Sequence, residues 1–225
     1  MDKLNNTIIR TFKDEFEWRC MSLLVESYFY VKSNYSIDID CEEEYISAIL
    51  FDYIDKCPQS SEWGIDITPE YRLYKDAVLK KKKSAKTAPK IDLRFCSFEK
   101  NVKLTYFVEA KNLIETDTTK RAKKGRKGNT ITVSAHNWYN RYIDTGIDNY
   151  LSGRYPSNGC LVGYILQGKM ENIIACINQY LQNRNRASEI LTQQPFNLRN
   201  LDSFYLSKHN NDIIIKHLML NFTVK

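Results

Sequence analysis

No stretch of the chain approaches the ~20 consecutive apolar residues that a membrane-spanning helix needs. The opening residues, MDKLNNTIIRTFKDEFEW, hold no apolar core of signal-peptide length. A cytoplasmic protein without a membrane partner is therefore expected. Glycine and proline are scarce, 8 and 5 of 225 residues, which excludes fibrous and low-complexity classes. The six cysteines (Cys20, Cys41, Cys57, Cys96, Cys160 and Cys176) are scattered, and none forms a CxxC pair. That spacing argues against a zinc site and against a secreted disulfide framework, and free thiols are expected. His136, His209 and His217 lack metal-ligand spacing, although His209 and His217 are placed to face each other across a final hairpin beside Ser207. Neither GxxxxGK[ST] nor GxSxG occurs, so no nucleotide motor is expected.

What is present is a sequence with 43% hydrophobic residues and ample length for one α/β core. Its net charge of +6 conceals an asymmetry. Residues 1–70 carry 6 basic and 15 acidic side chains, whereas residues 71–225 carry 27 basic and 12 acidic. A field so divided suits a molecule with one face turned to a polyanion, of which nucleic acid is the commonest.

Phe12, Phe16, Cys20, Leu23, Leu24, Tyr28 and Val31 recur at helical spacing and predict a helix over 11–31. A second helix is predicted over about 41–57, with Asp40 as its N-cap and Ile46, Ile49, Leu50 and Tyr53 turned inward. Residues 71–79 fit strand or helix, and Lys80–Lys83 opens a loop. KIDLRFCSF (90–98) and LTYFVEAK (104–111) then predict a hairpin turning at 99–103. A basic loop follows over 115–131. Beyond it come a helix over 135–151, a buried strand over 159–166, a helix marked by Met170, Ile173, Ile174, Ile177 and Leu181, and a hairpin of 204–207 with 213–222. Trp138, Tyr139, Tyr142 and Tyr150 are expected in the core. The order predicts an α/β fold, a mixed central sheet with helices on both faces.

Within the hairpin, Glu109 and Lys111 stand two residues apart on one strand and so share a face. Asp92, on the preceding strand, can share that face too. Two carboxylates from neighbouring strands make a hard-oxygen site suited to Mg²⁺. A lysine beside them can orient a water or offset charge on a phosphate. A Glu-x-Lys triplet alone arises on the order of once by chance in such a composition; its setting gives it weight.

Ile91-Asp92 followed by Glu109-Ala110-Lys111, behind an acidic helical segment, resembles the PD-(D/E)xK nuclease superfamily. The element order is similar over residues 40–185, and the motif strands in residue detail. The proline of the family name departs from the pattern, since Pro89 lies three residues before Asp92. The resemblance implies a restriction-endonuclease-like fold, with Asp92, Glu109 and the carbonyl of Ala110 holding Mg²⁺ (Mn²⁺ as substitute) and Lys111 assisting the attacking water. Glu43, followed by Ile46, Ser47 and Leu50, fits the glutamate that many members add from the preceding helix; it also fits a capping-box position after Asp40. The resemblance further implies one nuclease domain over 1–225: an N-terminal helical region over 1–57, a catalytic core over 70–185 and a C-terminal extension over 186–225. Lys120, Arg121, Lys123, Lys124, Arg126 and Lys127 are expected to grip phosphates, and Gln167 to approach the site. DNA is favoured over RNA, with a homodimer or a recruiting or regulatory protein as partner, as in effector nucleases of bacterial antiviral defence. The alternatives are a ribonuclease and a non-catalytic nucleic-acid-binding or scaffold subunit on the same fold.

Overall fold

The structure, a computed structural model, describes residues 2–74, 84, 86, 88–99, 102–121, 130–195 and 201–223. Two helices open the chain, α1 (Asp2–Asn34) and α2 (Glu43–Lys56), with the short α3 (Pro58–Glu62) after them. The strands β1 (Ile65–Arg72), β2 (Lys90–Glu99) and β3 (Val102–Ile114) follow. A ribbon of β4 (Thr118–Arg121) and β5 (Thr130–Val133) leads to α4 (Ala135–Arg141), a π-helical segment (Tyr142–Ile147) and α5 (Asp148–Leu151). Next come β6 (Gly159–Gln167), α6 (Met170–Asn183), β7 (Thr192–Gln193), β8 (Phe204–Lys208) and β9 (Ile214–Asn221). Seven strands form one mixed sheet in the order β1-β2-β3-β6-β9-β8-β7, parallel only at β3/β6 and β6/β9.

Strand alternation sorts the helices between the two faces. Ala110, Val162 and Leu218 are lateral partners on one face, and Asn112 and Tyr164 continue it. There α2 docks through Ser47, whose hydroxyl lies 3.0 Å from that of Tyr164, and α1 docks through the Glu17–Lys216 ion pair. Glu109, Leu161 and His217 line up on the opposite face. The π-helical segment lies against it: a Cβ on Gly146 would stand 2.8 Å from a Leu161 methyl, and Tyr142 bonds His217. Any larger residue at Gly146 would push the Leu161 side chain aside.

β6 is buried through its first eight residues, as befits a strand covered on both sides. It begins flush against β3, because a Cβ on Gly159 would stand 2.0 Å from the Phe107 carbonyl oxygen. The four aromatics expected in the core, Trp138, Tyr139, Tyr142 and Tyr150, are all buried. All six cysteines are free; Cys41 and Cys176 are half-buried and the other four buried. Among the described residues, no helix is long and apolar enough to cross a membrane.

Three sequence expectations need correction. Residues 65–70, given no element, form most of β1. The predicted 115–131 loop begins and ends in paired strands, β4 and β5. Asp40 does not cap α2: Glu42 holds the N-cap position, without a side-chain cap bond. A turn closed by the Asp40 N–H on Asp38 Oδ1 at 2.9 Å delays the helix, and Asp40 instead accepts the Arg121 N–H at 2.6 Å. The Lys80–Lys83 run, with most of 71–79, lies outside the described residues.

Candidate active site

The ladder between β2 and β3 ends at Leu93↔Val108, while β2 stays paired with β1 through Ile91↔Tyr71 and Lys90↔Arg72. The two central strands thus fork, and β3 presents an open edge from Glu109 onward. Open-edge amides must find acceptors, and carboxylates supply them. Asp92 Oδ2 accepts the Ala110 N–H at 2.6 Å, and Glu43 Oε1 accepts the Asn112 N–H at 3.2 Å. Glu43 opens α2 at its first helical position, where the helix dipole favours negative charge. The fork therefore draws Asp92 and Glu43 to the strand that carries Glu109 and Lys111.

Glu109 and Lys111 are buried, 5% and 6% exposed. Lys111 Nζ donates to Glu109 Oε1 at 2.5 Å and to the Ala110 carbonyl at 2.8 Å, and stands 3.8 Å from Glu43 Oε2. On its outer side Glu43 also meets Arg141 at 3.1 Å. Tyr155, in the turn before β6, donates its hydroxyl to Glu109 Oε1 at 3.1 Å. Asn112 ties this edge to the turn before α2 by donating Nδ2 to the Cys41 carbonyl at 3.0 Å.

Burial pushes the Asp92 carboxyl up to about 6, against the pull of Lys111 and the Ala110 amide. Glu109 is pushed up to about 7, by burial first and by the charge of Asp92 second. Burial alone would lower Lys111, but Glu109, Glu43 and Asp92 outweigh it and raise the ammonium's pKa. The site thus concentrates acid in a dry place and answers it with one buried ammonium.

A cleft of about 240 Å³ opens beside Glu43, between the start of α2, β4 and α4. Lys120 lines it, its ammonium 5.9 Å from the Trp138 ring centre. Arg121 is less available than expected, because its guanidinium pairs with Asp40 at 3.3 Å. Lys123, Lys124, Arg126 and Lys127 lie outside the described residues. Gln167 is not at the site: its amide binds the backbone of Glu115 and Thr116 and the Thr116 hydroxyl. Tyr155, Asn112 and Arg141 had no signal in the sequence, since only the fold brings them to β3.

No family model matches the chain, and no curated protein or solved structure was found to match it. The reading of the site therefore rests on its own geometry.

Proposed function

We propose that the chain is a Mg²⁺-dependent nuclease on a restriction-endonuclease-like fold, acting on DNA in preference to RNA. The observation that carries this reading is the fork: it gathers Asp92, Glu109, Lys111 and Glu43 at one open strand edge beside a cleft.

The residues fit a divalent cation. Glu109 Oε1 and the Ala110 carbonyl already converge on one cationic centre, the Lys111 ammonium, with Asp92 bound to the N–H of that same alanine. These are hard oxygen donors of the kind Mg²⁺ selects, and Mg²⁺ keeps several waters, so few protein ligands suffice. Among the described residues, no group of three or more His, Cys, Asp or Glu side chains is arranged to hold a metal. The donor set here is instead two carboxylates and one carbonyl. When bound, the cation supplies Lewis acidity toward phosphate and water.

The chain's own residues do the rest. Asp92 and Glu109, partly protonated near neutral pH, become full acceptors on ionisation. Tyr155 holds Glu109 by its Oε1 and restricts its rotation. Lys111, released from Glu109, can orient a water or offset charge developing on a phosphate. Glu43 keeps that ammonium close, while Lys120 and Arg141 place positive charge along the entrance. A recruiting partner or second copy belongs to the proposal, and it is supported by exposed apolar residues, Trp18, Phe98 and Val102 among them. A role as an effector of bacterial antiviral defence rests on the family resemblance alone.

The test is incubation of purified protein with plasmid, linear DNA and RNA, with Mg²⁺, Mn²⁺, Ca²⁺ or EDTA, beside Lys111→Ala. Cleavage is expected with Mg²⁺ or Mn²⁺ only, and none from the variant. Cutting that persists in excess EDTA would overturn the proposal. Binding without cleavage by any form, alone or with its partner, would favour the scaffold reading.

A further inference from the structure

Arg94 lies on β2 two residues beyond Asp92, and its cross-strand partner Phe107 lies two residues before Glu109. Residues two apart on a strand share a face and stand ~6.6 Å apart. Arg94 is therefore one pleat from the carboxylates. Its guanidinium carbon lies 4.2 Å from the centre of the Tyr71 ring. Tyr71 pairs with Ile91, so the side chain runs back along β2 toward the Asp92 end. Phe107 backs the stack, its ring centre 6.3 Å from that of Tyr71.

Arg94 has a fixed position but no anion. Arg19, Arg141, Arg184 and Arg186 each hold a carboxylate within ion-pair distance. Among the described residues, Arg94 makes no ion pair, and its buried Nε has no hydrogen-bond partner. A guanidinium that a protein stacks and leaves without a carboxylate is a fork pre-set for an external planar or tetrahedral oxyanion. The stack also removes rotamer freedom before binding, so little is lost when the anion arrives.

We infer that Arg94, held flat on Tyr71, is a phosphate-binding residue that grips the nucleic-acid backbone one phosphate away from the reacting one. The inference rests on the nucleic-acid reading of the site and adds a contact that motif spacing does not supply. Arg94 touches substrate, not the reacting atoms. Its effect belongs to binding and register, and Tyr71 is its positioning residue.

The experiment measures binding of a fluorescein-labelled duplex oligonucleotide in EDTA, by anisotropy, over a range of salt concentrations. One phosphate contact contributes about 0.9 to the slope of log affinity against log salt on B-form DNA. Arg94→Gln is expected to reduce the slope by about that amount. Arg94→Lys should keep the slope and bind several-fold more weakly, because charge survives while stack and fork are lost. A series of duplexes, each with one neutral methylphosphonate, gives a probe that needs no protein variant. At one position wild type should lose affinity while Arg94→Gln is indifferent.

An unchanged slope in a folded Arg94→Gln overturns the inference; so does wild type that tolerates every methylphosphonate, even if no variant folds. A reduced slope without Mg²⁺-dependent cleavage by any form would keep the phosphate site and overturn the nuclease. Cleavage with an unchanged slope would do the reverse. If wild type binds neither duplex nor single strand, both fall together.

Discussion

Asp92 and Ala110 are joined by a 2.6 Å hydrogen bond at the point where their strands part, the carboxylate taking the amide that a continued ladder would have used. The same side chain is half-buried and close enough to Glu109 to raise that group's pKa. One residue thus completes the sheet and builds the acidic site, and the two roles can be separated.

Asp92→Asn keeps an acceptor for the Ala110 amide, whereas Asp92→Ala leaves that amide unpaired. A buried amide without a partner costs about 1–3 kcal/mol. Urea unfolding is expected to show Asp92→Ala destabilised by about that much and Asp92→Asn by much less. Both should be inactive in the cleavage assay. An Asp92→Asn protein that still cuts at the wild-type rate would leave Asp92 as a strand cap only.

Tyr155→Phe removes the hydroxyl that holds Glu109 Oε1. That bond lowers the Glu109 pKa, against burial and Asp92, which set it at about 7. Its loss must therefore raise the value. If ionised Glu109 is needed, the acid limb of the cleavage–pH profile should move to higher pH in the variant, with the rate recovered above it. The stability cost should be near 1 kcal/mol, typical of a single hydrogen bond. A lower plateau with no displaced limb would show that Tyr155 acts on something other than Glu109's proton.

Much of this site was legible in the sequence, and what was not has a physical cause. The Glu109–Lys111 pair follows from strand period alone, and β-rich flanks placed Asp92 on the neighbouring strand. The existence of α1, α2 and α6 followed from apolar spacing that burial requires, although α1 begins at Asp2, nine residues before the expected start. β1 was missed because Pro69 and an alternation broken by Glu70, whose φ is +46°, hide its period. Tyr155 and Arg141 could not be found, since nothing local in a turn or a helix end encodes what β3 will present to it. Glu43 fitted a cap and a catalytic carboxylate equally well. The turn at 38–41 removes the cap by starting the helix later, with Glu43 at its first position.

Neutralising Lys120, Arg121, Lys123, Lys124, Arg126 and Lys127 together should weaken duplex binding and flatten its salt dependence. Arg121 is engaged with Asp40, so restoring it alone should recover little. Restoring Lys120, which lines the cleft beside Glu43, should recover more. An unchanged salt slope in the sixfold variant would move the polyanion away from this ribbon, with Lys80–Lys83 the next segment to neutralise.

Acid stability depends on a buried chain of hydrogen bonds that lies on the same face of the sheet as Glu109, two strands away around β9. His209 Nδ1 meets Glu189 at 2.5 Å; the carboxylate only accepts, so this nitrogen donates. His209 Nε2 then accepts from Ser207 at 2.6 Å, and Ser207 accepts from His217 Nε2 at 2.7 Å. His217 Nδ1 is left to accept from the Tyr142 hydroxyl at 2.8 Å. Every bond is used in one direction, and a proton added to His217 Nδ1 would reverse the last one, turning the Tyr142 hydroxyl from donor to acceptor and leaving its hydrogen without this partner. Full burial, with His209 beside it, holds His217 down to about 3, while Arg186 and Asp148 face the far end of the chain. Between its unfolded value of about 6.5 and 3, the unfolded chain binds the proton and the folded one does not, so this group's share of stability falls as pH falls. At pH 5 the loss is about 2 kcal/mol, at 1.36 kcal/mol for each unit below 6.5. Glu109 and Asp92, with folded values raised, act in the opposite sense over the same window, so the total curve is a poor readout. The difference between wild type and His217→Gln in urea unfolding isolates the imidazole and should shrink by about 2 kcal/mol from pH 7 to pH 5. In parallel, the His217 ring resonances of wild type should stay those of a neutral Nε2–H imidazole down to pH 5. A ring that titrates near 6.5 would show that the chain of bonds is not closed as drawn.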